Sequence, residues 1–207
     1  MIFQNRTEAG KLLAKELMSY KGEEDVVAVG LARGGVVVAA QVSKALEIPL
    51  DVMVVRKIGA PDNPELALGA IAEKGRGIFN DDLITLLGIS KEYLKKETEK
   101  EREVVLQRRA LYLRGREGLD FSGKTVLLID DGVATGASMK VAIASCIEQK
   151  ASKVVVAVPV APTKTCKELE ELASEVVCLE TPKSFPAVGA FYKEFDPVSD
   201  EQIIQMI

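Results

Sequence analysis

Two consecutive aspartates, Asp130 and Asp131, end the apolar run Val126-Leu127-Leu128-Ile129 and are followed by Gly132, Val133, Ala134, Thr135, Gly136, Ala137 and Ser138. Adjacent carboxylates at the end of a buried strand are costly unless a cation or hydroxyl groups meet them. The small and hydroxyl residues after them lead into a helical pattern. Their turn therefore offers unpaired backbone N–H groups at the positive end of a helix dipole. Such a turn suits a phosphate monoester, with Thr135 and Ser138 adding hydroxyl donors while Gly136 and Ala137 keep bulk away. The carboxylates would repel that phosphate. They suit vicinal hydroxyls, a bound Mg²⁺, or positive charge developing on a sugar. A phosphate site one loop away from a diol site describes a holder of ribose 5-phosphate.

The composition narrows the chemistry to the same class. The 207 residues are 47% hydrophobic, enough for a core and against disorder, and their length suits one embellished domain. With 27 basic and 31 acidic residues interspersed, the net charge is −4, so broad binding to a nucleic-acid backbone is not expected. There is no histidine, which excludes Ser-His-Asp and Cys-His catalysis and imidazole-bound metals. The cysteines, Cys146, Cys166 and Cys178, form no CxxC pair and suit a reducing, cytoplasmic setting as buried thiols. No apolar run has the length of a membrane span, and Met1 to Glu8 lacks the layout of a secretory signal. Carboxylates, lysines and arginines, hydroxyls, amides and oxygen-held metal remain, a repertoire that fits phosphate chemistry.

The elements that must position these groups alternate. A helix over residues 6–20 precedes the apolar run Val26 to Gly30, the glycine-bearing turn Leu31 to Gly35, a helix to about Leu46, and a strand from Val52 to Lys57. After an interruption come strands at Thr125 to Asp131, Lys153 to Val158 and Glu175 to Leu179, with helices at Gly136 to Lys150 and Thr163 to Ala173. This is a doubly wound α/β domain: five buried parallel strands with helices on both faces and ligands at the strands' carboxyl ends. The interruption holds Ile58 to Leu68, with Gly59, Pro61 and Pro64, which reads as a functional loop. A small hairpin around Lys74-Gly75-Arg76 follows, then a short helix near Asp81 to Leu87. A long charged helix from Ser90 to Gly115 reads as solvated or subunit-packing. The aromatic tail, Pro182 to Ile207, is expected to fold back over the sheet.

Rival motifs fail on context. Too little chain follows Asp131 for a phosphoacceptor receiver domain. Residues 118–125 match the P-loop pattern GxxxxGK[ST], but the match follows a helix and feeds a strand, the reverse of a P-loop. It reads as a turn with Lys124 exposed.

Asp130-Asp131-x-x-x-Thr135-Gly136-x-Ser138 after an apolar strand resembles the 5-phosphoribosyl-1-pyrophosphate (PRPP) motif of the type I phosphoribosyltransferases. The resemblance covers about residues 20–180, with residues 182–207 as a hood on a single domain. It implies Mg²⁺-dependent transfer of phosphoribosyl from PRPP to a nitrogen nucleophile, usually a nucleobase, with release of pyrophosphate, in nucleotide metabolism.

On this resemblance, Ala32, Arg33, Gly34 and Gly35 form the pyrophosphate loop, often with a strained non-proline peptide. Arg56 and Lys57 neutralise the leaving group at a strand end. Residues 58–68 are a mobile catalytic loop, in which Glu65 or Asp62 handles a proton. Asp130 and Asp131 act on the ribose and, indirectly, on the metal, and Asp131→Asn is expected to remove turnover with the fold intact. Gly132 to Ser138 binds the 5-phosphate, and Phe191 and Tyr192 in the hood stack the base. Hypoxanthine-type relatives carry an Asp where Ala134 stands, so that candidate base is absent. A homodimer is expected by analogy. The alternative function is a PRPP- or nucleotide-sensing regulator that kept the binding loop and lost the transfer.

Overall fold

The computed structural model describes residues 1–207, except the side chain of Glu65. The proton-handling expectation for Glu65 thus lies outside the described residues. Five strands, β1 (Val26–Leu31), β2 (Leu50–Met53), β6 (Thr125–Ile129), β7 (Lys153–Val160) and β8 (Glu175–Glu180), form a wholly parallel sheet in the order β2-β1-β6-β7-β8. The other strands, β3 (Arg56–Ala60), β4 (Asn63–Ile71) and β5 (Ile78–Phe79), form a separate antiparallel sheet.

The uninterrupted apolar runs have the cause expected of them: both faces of the sheet are covered. Val27, Val29, Leu128 and Val156 pack under α5 (Ala137–Glu148) and α6 (Thr163–Glu170). Val26, Ala28, Leu127 and Val155 point the other way, onto α1 (Arg6–Glu16) and α2 (Gly34–Leu46). The edge strand β8 departs from the expectation, since all six of its residues are only half-buried.

The strand expected from Val52 to Lys57 is divided. β2 ends at Met53, and Arg56 and Lys57 open β3 of the second sheet rather than ending a parallel strand. Residues 58–68 are not an irregular loop either. They form the β3–β4 hairpin, turning at Pro61-Asp62, with register shifts on both sides of Gly59. A Cβ on Gly59 would lie 2.6 Å from the Pro64 carbonyl oxygen, so the bulge requires glycine there. The β4–β5 pairing, Gly69 with Phe79 and Ala70 with Ile78, is the small hairpin expected around Lys74-Gly75-Arg76.

Helices α3 (Asp81–Leu86) and α4 (Lys91–Leu113) follow; Ser90 caps α4 by accepting from the Tyr93 amide at 3.1 Å. α4 is more than a solvated rod. It buries Glu101, Val105, Tyr112 and Leu113, and shares a core cluster with Val52, Val54 and the last helix, α7 (Asp200–Met206). The P-loop look-alike is a turn from α4 into β6, with Lys124 half-buried rather than exposed. The tail folds back as expected, through a bridge between Phe3 and Tyr192. Among the described residues no helix is long and apolar enough to cross a membrane.

Candidate functional site

The sheet order reverses between β1 and β6, so the segments leaving their carboxyl ends diverge and open a crevice, the usual place for a ligand in such sheets. From β1 come Ala32, Arg33, Gly34 and Gly35, and from β6 come Asp130 through Ser138. The two turns lie in contact. A Cβ on Gly34 would sit 1.9 Å from Asp131 Oδ2, and one on Gly35 would sit 2.8 Å from Asp130 Oδ1. Glycine is therefore what allows one turn to rest on the carboxylates of the other. The Ala32–Arg33 peptide bond is cis.

Gly136, at φ +80°, turns the chain into α5. Among the described residues the amides of Ala134 through Met139 have no hydrogen-bond acceptor. They lie in and just before the first turn of a twelve-residue helix, at its positive end. A cavity of about 210 Å³ lies against them, lined by Lys57, Asp130, Gly132 to Met139, and Val188 from the tail. The Thr165 hydroxyl on α6 donates to the Ala134 carbonyl at 2.7 Å and holds the turn from outside. Lys57 and Ser138 also border a larger polar cavity of about 620 Å³ between the hairpin and α4. There Arg56 is ion-paired to Glu101 at 2.6 Å, while Lys57 is exposed.

The two aspartates have different surroundings. Asp130 lines the cavity, and its Oδ1 accepts from the Asp131 amide at 2.8 Å. Burial, and then the charge of Asp131, push its carboxyl well above the usual range. A bound cation or a pair of sugar hydroxyls would relieve that cost. Asp131 faces away, toward Arg6 of α1, whose Nε donates to Oδ2 at 2.6 Å. Burial raises this carboxyl as well, against the opposing pull of Arg6.

The expected site residues thus divide. The structure brings together Ala32 to Gly35, Lys57, Asp130 and Gly132 to Ser138. Arg33 is exposed at the edge, 4.0 Å from Asp200 of α7. Tyr192 does not present a face for stacking: it is buried, its ring lies 5.0 Å from that of Phe195, and its hydroxyl donates to the Asp131 carbonyl at 2.5 Å. Phe191 packs half-buried on Phe185, with ring centroids 5.1 Å apart. Both aromatic residues serve as core, and the tail reaches the cavity through Val188. Sequence reasoning missed Arg6 and Thr165, and it placed Val188 in the expected hood while giving the contact there to Phe191 and Tyr192. Each lies far along the chain from the motif it touches, and only Arg6, a cation at the start of an otherwise ordinary amphipathic helix, carried any signal.

A family model described as the phosphoribosyl transferase domain matches residues 1–193. A Mycobacterium tuberculosis H37Rv protein with a provisional phosphoribosyl transferase name is 42% identical over 207 residues, covering 100% of this chain and 46% of its own length. The chain thus spans about half the length of the curated relatives it matches. The crystal structure of TT1426 from Thermus thermophilus is similar throughout: 44% identity, TM-score 0.83, 100% of this chain and 97% of that one. AQ2163 from Aquifex aeolicus, at 14% identity and TM-score 0.52, covers 84% of this chain and 72% of its own and shares the fold. With a matching family model over nearly the whole chain and a whole-chain structural likeness, this chain belongs to the phosphoribosyl transferase domain family.

Proposed function

We propose that this domain binds PRPP and transfers its 5-phosphoribosyl group to a nitrogen nucleophile of nucleobase type, releasing pyrophosphate. The observation that carries the reading is the set of unpaired amides from Ala134 to Met139 around a cavity walled by Asp130. Six unpaired amides lining one cavity at a helix N-terminus match a dianionic monoester, and a carboxylate in the same lining matches the ribose diol. Arg33, the amides of Gly34 and Gly35, and Lys57 then face the diphosphate.

Among the described residues no cluster of three or more carboxylates or thiols is placed to hold a metal unaided. Asp130, half-buried and in no ion pair among the described residues, fits as a protein ligand for a Mg²⁺ that arrives with the substrate's own oxygens. The bound ion would supply neutralising charge to the departing diphosphate. The chain's own part is to fix the 5-phosphate, hold the ribose hydroxyls through Asp130, and keep anionic charge near C1 as its bond to oxygen loosens. The nucleophile enters from the remaining open side, toward Lys57 and the hairpin. A cytoplasmic homodimer packed through α4, where Leu106 and Leu111 are exposed, belongs to the same proposal.

Incubation with PRPP, Mg²⁺ and a panel of nucleobases should release pyrophosphate with at least one base. Tight PRPP binding without release against the whole panel would favour the sensing regulator. Failure to bind PRPP at all would remove both readings.

A further inference from the structure

Arg6 stands outside every motif, yet it is held by an ion pair, a backbone carbonyl and an aromatic ring at once. Its Nε lies 2.6 Å from Asp131 Oδ2, Nη1 donates to the Asp196 carbonyl at 2.8 Å, and its guanidinium sits 3.8 Å over the Phe195 ring. Both partners of the ion pair are largely shielded, with side-chain exposures of 12% and 13%. Asp131 is enclosed from three sides: Arg6 from α1, Gly34 from the start of α2, and the Tyr192 hydroxyl on its carbonyl. The cavity is lined by Asp130 and not by Asp131, while Arg6 borders a different cleft, against Asp196, Pro197 and Val198.

We propose that Arg6 is a positioning residue that neutralises Asp131 and withdraws it from the site, leaving Asp130 as the single carboxylate offered to metal and ribose. The motif's two acids are then unequal, and the loss that the sequence alone led us to expect of Asp131→Asn passes to Asp130→Asn. Asp131 ties α1, the tail and the pyrophosphate turn together, and Asp130 alone faces the ligand. Two free carboxylates side by side would form a stronger cation site before substrate arrives. Pairing one with a fixed guanidinium keeps the empty site weak for metal, so that Mg²⁺ is held only together with the substrate's oxygens.

The PRPP arm of the test rests on the function proposed above; the metal arm does not. Mn²⁺ alone, followed by the loss of its free electron-paramagnetic signal, should bind wild type weakly. Arg6→Gln, by freeing the second carboxylate, should tighten it about tenfold, while Arg6→Lys, which keeps the charge, should not. An Arg6→Gln variant that binds Mn²⁺ no more tightly than wild type overturns the proposal, whatever PRPP does. Calorimetry with Mg²⁺ and PRPP supplies the second arm. Asp130→Asn should abolish binding, and Asp131→Asn, whose amide oxygen still accepts from Arg6, should stay within about threefold of wild type. Equal losses in the two variants also overturn it. This comparison decides the matter if Arg6→Gln fails to fold, as judged by circular dichroism. If wild type binds no PRPP but the Mn²⁺ pattern holds, the substrate reading fails and the role of Arg6 stands.

Discussion

At the scale of single residues, the site depends on side chains that are missing. Gly34 is the clearest case: a methyl group there would occupy the space of Asp131 Oδ2, 1.9 Å away, and come within 2.9 Å of Arg6 Nε. Gly34→Ala must therefore push Asp131 off its guanidinium or move the turn that follows β1. Overpacking at a tight contact of this kind costs about 1–3 kcal/mol. The expected result is a lower unfolding midpoint together with weaker PRPP binding, measured by denaturant titration and calorimetry. A variant with wild-type values for both would mean that the two turns do not bear on each other. The need for small residues after β1 and β6 was legible in the sequence, because glycines and paired acids carry local meaning. That Arg6 answers Asp131 was not, since nothing local joins two residues 125 positions apart.

Among the elements, legibility followed burial. β1, β6 and β7 read correctly because strands covered on both faces must be apolar throughout, and that leaves an unbroken signal in the chain. The β3–β4 hairpin did not. Its Gly59, Pro61 and Pro64 look like breakers, yet they occupy a bulge, a turn and an irregular ladder end, where lost backbone bonds cost little. The hood misled for a related reason. An aromatic cluster serves equally as stacking platform or core, and only the third dimension shows Tyr192 buried against Phe3 and Phe195.

The support of the phosphate turn is likewise an inter-element property. Thr165, on α6, reaches Ala134, and its methyl group lies 3.1 Å from where a Cβ on Gly136 would be. Thr165→Val keeps the volume and removes the hydroxyl, leaving the Ala134 carbonyl without that donor. A loss of about 1 kcal/mol in stability is expected. If α6 also sets the shape of the turn, inorganic phosphate and PRPP should both bind more weakly. A pure stability loss with unchanged phosphate binding would confine Thr165 to packing.

For the molecule as a whole, the long helix is held to the sheet by buried charge rather than by grease alone. Arg109 of α4 pairs with Asp51 of β2, Nη2 to Oδ2 at 3.1 Å, donates to the Val52 carbonyl, and meets Glu73 at 3.1 Å through Nε. Arg102, about two turns earlier, donates to the Gly75 carbonyl at 2.9 Å. One guanidinium thus serves two acids, and Glu73, 8% exposed just beyond β4, is the less well satisfied of them. Burial, reinforced by the charge of Asp51, pushes its carboxyl up to about 7 from 4.5, with Arg109 and Lys74 opposing. The sign follows from linkage. Between these two values the folded chain keeps a proton that the unfolded chain has lost, so the contribution of Glu73 is full below the lower value. It falls as pH rises through the upper one, by up to about 3 kcal/mol, and is flat beyond. Glu73→Gln cannot ionise and should remove this slope. Relative to wild type, the variant should gain stability between about pH 4.5 and pH 8, as read from urea midpoints at several pH values. Midpoint curves that run parallel across this range would show that Glu73 stays charged when folded. In that case the anchorage of α4 would be a fully ionised triad, insensitive to pH near neutrality.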